Sequence, residues 1–209
     1  MGSRPKALLE LAGRPVLRRA LEPFLADPRV VRIVVALDAP TFAGPPGWLV
    51  AMAPRVRLVE GGDERGDSVR VALAALDADV DVVLVHDAAR PLVTSAVIDR
   101  TIAAAVRGEC VIAAIPVVDT VQEVDAGGRI VRTPDRGRLW LAQTPQAFPR
   151  EVIADACQRA ARDGFRATDD AALVAWYGRA VRVVEGDPRN IKITVPSDLA
   201  LAEALLACS

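Results

Sequence analysis

Lys6, Asp87, Arg90, Arg136 and Lys192, with the hydroxyls of Ser68, Thr120 and Thr144, are the side chains of this sequence best suited to do chemistry. Cations outnumber carboxylates in the set, and it offers no credible nucleophile or general base. Such groups suit phosphoryl or nucleotidyl transfer, where a substrate phosphate is itself the nucleophile and the protein supplies position and charge stabilisation. Asp87 can hold a divalent cation through its hard oxygens, and Arg90 can grip a phosphate or carboxylate with its planar fork. Each residue also has a plainer reading on its own. Asp87 can cap a turn and pair with Arg90, the lysines can be solvated surface, and Arg136 is one of three arginines in the stretch 132–138.

The elements that must position these groups follow from the apolar pattern. Val82–Val85 is apolar without alternation, as in a strand covered on both faces, and it runs straight into His86, Asp87 and Arg90. Ligands of parallel sheets bind beyond the carboxyl ends of such strands. Residues 60–68, Glu-Gly-Gly-Asp-Glu-Arg-Gly-Asp-Ser, form a glycine-rich turn between a strand at 56–59 and a helix that Asp67 or Ser68 can cap. A turn of this kind exposes backbone N–H groups at a positive helix end, although two glycines often serve only to turn the chain.

Elsewhere the chain alternates strand and helix. Strands are expected at 30–37, 110–117, 181–184 and 190–195. Helices are expected from Pro15 into a run ending before Asp27-Pro28, at 48–52 after a loop at 40–47, at 95–107 between Thr94 and Gly108, from Pro149 to Gly164, at 169–177 behind a Thr168 cap, and at 196–207. The result is a single α/β domain, 1–209, with a doubly wound, mostly parallel Rossmann-like sheet. Residues 1–6 carry no strand, so the rhythm begins without the strand expected to open it. The stretch 118–133 alternates about Ala126-Gly127-Gly128 and reads as a hairpin. It interrupts the rhythm as an arm, 118–138, whose apolar side calls for a partner, hence a homodimer.

Lys and Arg total 26 against 27 Asp and Glu, so no polyanion such as nucleic acid is indicated. No apolar run is long enough for a membrane span and no secretory signal is visible, which leads to an expectation of a cytoplasmic protein. The widely spaced Cys110, Cys157 and Cys208 suggest packing residues, not a disulfide framework or zinc site. A single histidine argues against a His-based metal site or a Ser-His-Asp triad.

Taken in order, the motifs Pro5-Lys6, Gly61-Gly62-Asp63-Glu64-Arg65 with Asp67-Ser68-Val69, His86-Asp87-Ala88-Ala89-Arg90-Pro91, Asp119-Thr120, Asp135-Arg136, Gln143-Thr144-Pro145-Gln146, Thr168-Asp169-Asp170 and Gly186-Asp187 followed by 190–194 resemble the 2-C-methyl-D-erythritol 4-phosphate cytidylyltransferase family over nearly the whole chain. The resemblance implies transfer of CMP from CTP to methylerythritol phosphate, with release of pyrophosphate, in non-mevalonate isoprenoid synthesis. It implies that Gly62, Asp63 and Ser68 hold the cytidine with Ala88 near the nucleotide, and that Asp87 serves the metal, Mg²⁺, and the substrate. Arg90, Thr120, Arg136, Thr144 and Lys192 match substrate contacts, Lys192 also stabilising charge at the α-phosphate, and Lys6 matches a lysine on the triphosphate. The arm would be exchanged in a homodimer, so that Thr120 and Arg136 serve the neighbouring site. The family's opening strand and its Pro-Ala-Ala-Gly-x-Gly-x-Arg loop have no counterpart in this sequence; a chain that truly starts here is expected to have poor CTP affinity and very low turnover. A cytidylyltransferase for another polyol phosphate, such as ribitol 5-phosphate, and an inactive dimeric scaffold are the competing readings.

Overall fold

The computed structural model describes residues 5–208. Residues 1–4, on which most of the strandless opening falls, lie outside them. From Lys6 the chain makes a 3₁₀ turn, then a short antiparallel ladder of β1 (Glu10–Leu11) with β2 (Arg14–Pro15), and enters α1 (Val16–Ala26). Val16, Leu17, Ala20, Leu21 and Phe24 recur at helical spacing and are all buried. Next come β3 (Ile33–Leu37), α2 (Ala39–Ala43), α3 (Gly47–Val50), β4 (Val56–Glu60), α4 (Arg65–Ala74), β5 (Val82–Val85), α5 (Ser95–Val106) and β6 (Cys110–Pro116). The hairpin of β7 (Glu123–Val124) and β8 (Ile130–Arg132) follows. The chain then returns through β9 (Trp140–Pro149), α6 (Arg150–Asp163), α7 (Asp170–Trp176), β10 (Val181–Glu185) and α8 (Pro196–Ala207).

Strands β10, β6, β9 and β5 form one sheet in that order. Within it β10 and β6 are parallel, while β9 runs antiparallel to both β6 and β5. A two-stranded parallel pair, β3 with β4, makes up the other side of the fold. The architecture is therefore α/β, with strands that mostly share one direction and one reversed strand inside the larger sheet.

That reversed strand is the main element the apolar pattern does not reveal. β9 contains Gln143, Thr144, Pro145 and Gln146 where a buried strand would be expected to be aliphatic, yet residues 143–148 are buried. The polar groups are accommodated because they find partners: Gln146 donates to the Asp169 carboxylate and accepts from Ala171 N–H, at 2.9 Å each.

Other expectations are corrected. Residues 190–195 are not a strand, because the backbone there is tied into neighbouring loops by Asn190 N–H to Asp187 and Ile193 N–H to Ala89. Part of the expected loop at 40–47 is α2, which has a proline in its first turn, where the missing N–H costs nothing. Helix α4 begins at Arg65, so neither Asp67 nor Ser68 caps it; Ser68 turns back to the loop instead. Thr168 is displaced as cap of α7 by Asp169, whose carboxylate accepts Ala172 N–H at 2.8 Å. Thr94 precedes α5 without a side-chain capping bond. Cys110 and Cys157 are buried, but Cys208 is exposed and does not serve as a packing residue.

Strands β3 and β5 each have one partner, and between them lies a cleft of about 590 Å³. Its walls are the two strands together with Leu17 and Phe24 of α1, Val69 and Leu73 of α4, and Ile102 of α5. Strand β5 borders this cleft, so it is only partly buried and not covered on both faces as its sequence suggests. The hairpin stands clear of the core: Val118, Val124, Ile130 and Val131 are exposed. Among the described residues no helix is long and apolar enough to cross a membrane.

Candidate active site

Asp87 leaves the carboxyl end of β5 and is the centre of a dense charge cluster. Its carboxylate lies 3.0 Å from Lys192 Nζ, 3.5 Å from Arg90 Nε and 3.7 Å from Arg65 Nε. Burial would push its pKa up, but the hydrogen bond and charge of Lys192, then the charges of Arg65 and Arg90, override this and hold the carboxyl below its ordinary value. Asp87 therefore stays ionised at neutral pH with only 15% of its side chain exposed. Burial lowers the pKa of Arg90, and the nearby Asp87 charge opposes that shift.

The cations arrive from separate parts of the chain, and backbone contacts hold Arg90 and the loop that carries Lys192. Arg90 Nη1 donates to Asn190 O at 2.8 Å, and the buried Asn190 side chain donates to Thr144 O at 2.8 Å. With Ile193 N–H on Ala89 O, these bonds fasten the loop carrying Lys192 to the loop carrying Asp87. Gln143 secures the base of the Lys192 loop, donating to Asp187 O at 2.8 Å and accepting Asp187 N–H at 3.1 Å. At Gly186 a Cβ would overlap Gln143 Oε1 and sit 3.0 Å from Ala114 O, so this approach requires glycine.

The glycine-rich loop forms a second wall. Gly62 N–H donates to Ser68 Oγ at 3.1 Å, and the hydroxyl turns toward Glu64 O at 3.2 Å, folding 62–68 into a tight cradle at the start of α4. A Cβ on Gly62 would overlap the Asp67 side chain. Arg65, in the first turn of α4, joins this cradle to the Asp87 cluster and also contacts Asp170 Oδ2 at 2.5 Å. Asp170 is almost wholly buried; its pKa is raised by burial against the opposing hydrogen bond from Arg65. Asp63 is exposed at the lip of the cradle. Ala88 packs with the cluster of Leu17, Leu37 and Leu49 and lines the cleft beside Ser68 and His86.

Lys6 approaches from a different direction, its Nζ donating to Thr194 O, and it borders a separate cavity of about 460 Å³ at the end of β3 with Asp38 and Thr41. The cluster presents Arg65, Arg90 and Lys192 around one ionised and one buried carboxylate, and Lys6 stands outside it. A cluster with this excess of cations can neutralise phosphates. Among the described residues no three His, Cys, Asp or Glu side chains form a metal cage. A lone, ionised hard carboxylate fits a cation whose remaining ligands are substrate phosphates and water, the common arrangement for Mg²⁺.

Comparison with known proteins decides what kind of phosphate chemistry this is. The family model described as IspD, 2-C-methyl-D-erythritol 4-phosphate cytidylyltransferase, matches residues 1–208. The chain belongs to that family. The 2-C-methyl-D-erythritol 4-phosphate cytidylyltransferase of Frankia casuarinae is 47% identical over 99% of this chain and 76% of its own length. That of Symbiobacterium thermophilum is 44% identical over 98% and 86%. Among solved structures, the Thermus thermophilus enzyme of the same name superposes with a TM-score of 0.85 at 37% identity, covering 97% of this chain and 94% of that one. The 4-diphosphocytidyl-2C-methyl-D-erythritol synthase of Anaerococcus prevotii gives a TM-score of 0.88 at 31% identity, over 95% and 88%. The reaction is nucleotidyl transfer: CMP passes from CTP to 2-C-methyl-D-erythritol 4-phosphate, giving 4-diphosphocytidyl-2-C-methyl-D-erythritol and pyrophosphate, a step of isoprenoid precursor synthesis.

The fold brings Asp87, Arg90, Thr144 and Lys192 into one cluster, with Gly62, Ser68 and Ala88 beside it through Arg65 and the cleft. Thr120 and Arg136 stand apart on the arm, where Arg136 Nη1 donates to Val118 O at 2.7 Å. Arg65, Asp170, Asn190 and His86 stand in the motifs of the sequence, but no role was assigned to them there. Arg65 stood inside a quoted motif, but nothing in its spacing shows that it spans to a carboxylate on α7.

Proposed function

We propose that Asp87, Lys192, Arg90 and Arg65 are the working core of the cytidylyl transfer, and the observation that carries this is a mostly buried carboxylate held ionised by three cations. The nucleophile is a phosphate oxygen of the acceptor, already ionised at neutral pH, so no protein base is required; this fits a site without one. That oxygen bonds to the α-phosphorus of CTP, the bond to the bridging oxygen of pyrophosphate breaks, and the leaving group takes the electron pair. Lys192 is shared between Asp87 and the incoming phosphates, so charge developing at the α-phosphate draws on a cation already in place. Arg90 and Thr144 receive the acceptor. The Gly62–Ser68 cradle and Asp63 hold the cytosine and ribose, and Lys6 faces the triphosphate.

Asp87 is the residue that would hold Mg²⁺, which when bound supplies charge neutralisation across the nucleotide phosphates. The exposed apolar arm, 118–138, serves a homodimer in which Thr120 and Arg136 reach the partner's acceptor. Both substrates are multiply charged, water-borne phosphates, which fits a cytoplasmic enzyme.

The test is subunit complementation. Asp87→Ala and Arg136→Ala proteins, each inactive alone, are mixed and re-equilibrated. If the arm serves the neighbouring site, heterodimers regain one intact site and the mixture recovers about a quarter of the wild-type activity. No recovery, with heterodimers verified by mass, would overturn the exchanged arm. Full activity of the Asp87→Ala protein alone would overturn the assignment of the core.

A further inference from the structure

The charge cluster has a far end that the transfer itself does not use. Asp170, in the first turn of α7, has only 3% of its side chain exposed, and its Oδ2 accepts from Arg65 Nη2 at 2.5 Å. Arg65 opens α4, lines the cleft and lies 3.7 Å from Asp87. Beside it, Glu64 pairs with Arg166, which stands in the corner between α6 and α7. Two neighbouring residues of the glycine-rich loop, one acidic and one basic, therefore meet one basic and one acidic residue at this corner.

The corner is fastened without help from the loop. Phe165 stacks on Trp176 at a centroid distance of 4.3 Å, which ties the start of the corner to the end of α7. Gln146 of β9 donates to the Asp169 carboxylate and accepts Ala171 N–H, while Asp169 accepts Ala172 N–H. Asp169 and Gln146 thus satisfy the first turn of α7, and Asp170 is not needed to cap it. Among the described residues, the side-chain hydrogen bond to the Asp170 carboxylate comes from Arg65. Taking a carboxylate out of water is costly, and a buried ion pair commonly returns little net stability. What this pair supplies is position. A loop shifted by one residue would set Glu64 against Asp170, like charge against like.

We propose that Asp170 is a positioning residue for the nucleotide: from the fixed α6–α7 corner it holds Arg65, and through Arg65 it sets the register of the 62–68 loop against the Asp87 cluster. Asp170 touches no substrate. Arg166 on Glu64 is a second tie of the same loop, and its effect is small because both side chains are exposed and screened. The placing of the loop stands on these contacts alone, whereas its consequence for CTP rests on the reading that 62–68 hold the nucleotide. Loss of the Asp170 tie therefore weakens capture of CTP and leaves the acceptor, received at Arg90, little changed.

The test is Asp170→Asn in the full chain, a change that keeps the size of the side chain and removes its charge. Amide hydrogen exchange read by mass spectrometry is expected to quicken about tenfold across 61–69 while β6 and β9 stay as in the wild type. The KM for CTP should rise roughly fivefold, with kcat and the acceptor KM within about twofold. Because Asp170 acts through Arg65, adding Asp170→Asn to Arg65→Gln should loosen the loop no further than Arg65→Gln alone. Arg166→Gln, at an exposed position where folding is not at risk, should quicken exchange in the same segment about twofold. Unchanged exchange across 61–69 in these variants would overturn the proposal, and so would additive effects of Asp170→Asn and Arg65→Gln. If the loop loosens as expected and the KM for CTP does not move, Asp170 still positions the loop, and it is the assignment of that loop to the nucleotide that fails.

Discussion

The two sides of this molecule handle the same problem differently. On the β5 side, four strands are hydrogen-bonded into one sheet with a register shift between β6 and β9, and Asp87, Thr144, Gln143 and Asn190 are fastened to one another by side-chain bonds to backbone. On the β3 side, two strands stand alone, and the glycine-rich cradle that follows β4 is joined to the rest by helix packing and by Arg65. The cleft between β3 and β5 separates the hydrogen-bonded Asp87 cluster from the glycine-rich loop at 62–68, which side-chain ion pairs tie to the rest. Two guanidiniums tie the 62–68 loop to the rest of the fold, Arg65 on Asp87 and Asp170 and Arg166 on Glu64.

The largest effects should come from the braced side. Asp87→Ala or Lys192→Ala is expected to lower kcat by about 10² to 10³, the usual consequence of removing a charge aimed at the reacting group. Pyrophosphate release under saturating CTP and acceptor measures it, and a loss under roughly tenfold would contradict the shared role of this pair.

Next in size is the link between the two sides. Arg65→Ala removes the one side chain that touches both Asp87 and Asp170 and leaves Asp170 buried without its cation. A stability loss of about 2 kcal/mol is expected in urea unfolding, discounted because Arg65 is partly exposed. The KM for CTP should rise roughly tenfold while the acceptor KM moves little. If both KM values rise equally, Arg65 braces the whole site and the contrast between the two sides is lost.

The open side should also be visible without mutation. Native-state hydrogen exchange is expected to show β3 and β4 amides less protected than those of β6 and β9, because a strand edge facing a cleft opens locally at lower cost. Adding in trans an extended apolar peptide of about six residues should slow exchange in β3 and β5 together and raise Tm, since both free edges gain a partner. Slower exchange in one strand only would mean that the cleft does not accept a strand across its width.

The smallest effect concerns the loop next to Lys192. Asp198 accepts Val195 N–H, Thr194 N–H and the Thr194 hydroxyl, and these bonds hold its carboxyl below the ordinary value. A depressed carboxyl stabilises the fold above its unfolded pKa and loses that contribution as pH falls through the folded one. Asp198→Asn should therefore lower the thermal midpoint slightly at neutral pH and flatten the acid side of the profile. The two proteins should converge as the pH drops below about 4, and a gap that stays constant into acid would show that the carboxylate charge is not what matters.

Much of this was legible in the sequence. The aliphatic run at Val82–Val85, the Gly61-Gly62 turn and the apolar spacing of α1 and α5 each express a local rule, and each element formed where the rule put it. β9 was not legible, because Gln143, Thr144 and Gln146 are buried only by virtue of partners distant in sequence. For the same reason the partners of His86 and Arg65 were not legible: their contacts with Thr144, Asp87 and Asp170 exist only once β5, β9, α4 and α7 meet. That β3 and β5 each have a single partner and face one cleft required the topology.

Above all, Lys192 and Asp87 are expected to act as one unit in the transfer. The most direct measurement is a double-mutant cycle on kcat for acceptor-dependent pyrophosphate release, using Asp87→Asn, Lys192→Gln and the pair together. Strong non-additivity, with the double variant no slower than the slower single one, is the predicted result. Additive losses would show that the two residues work independently and would contradict their coupling.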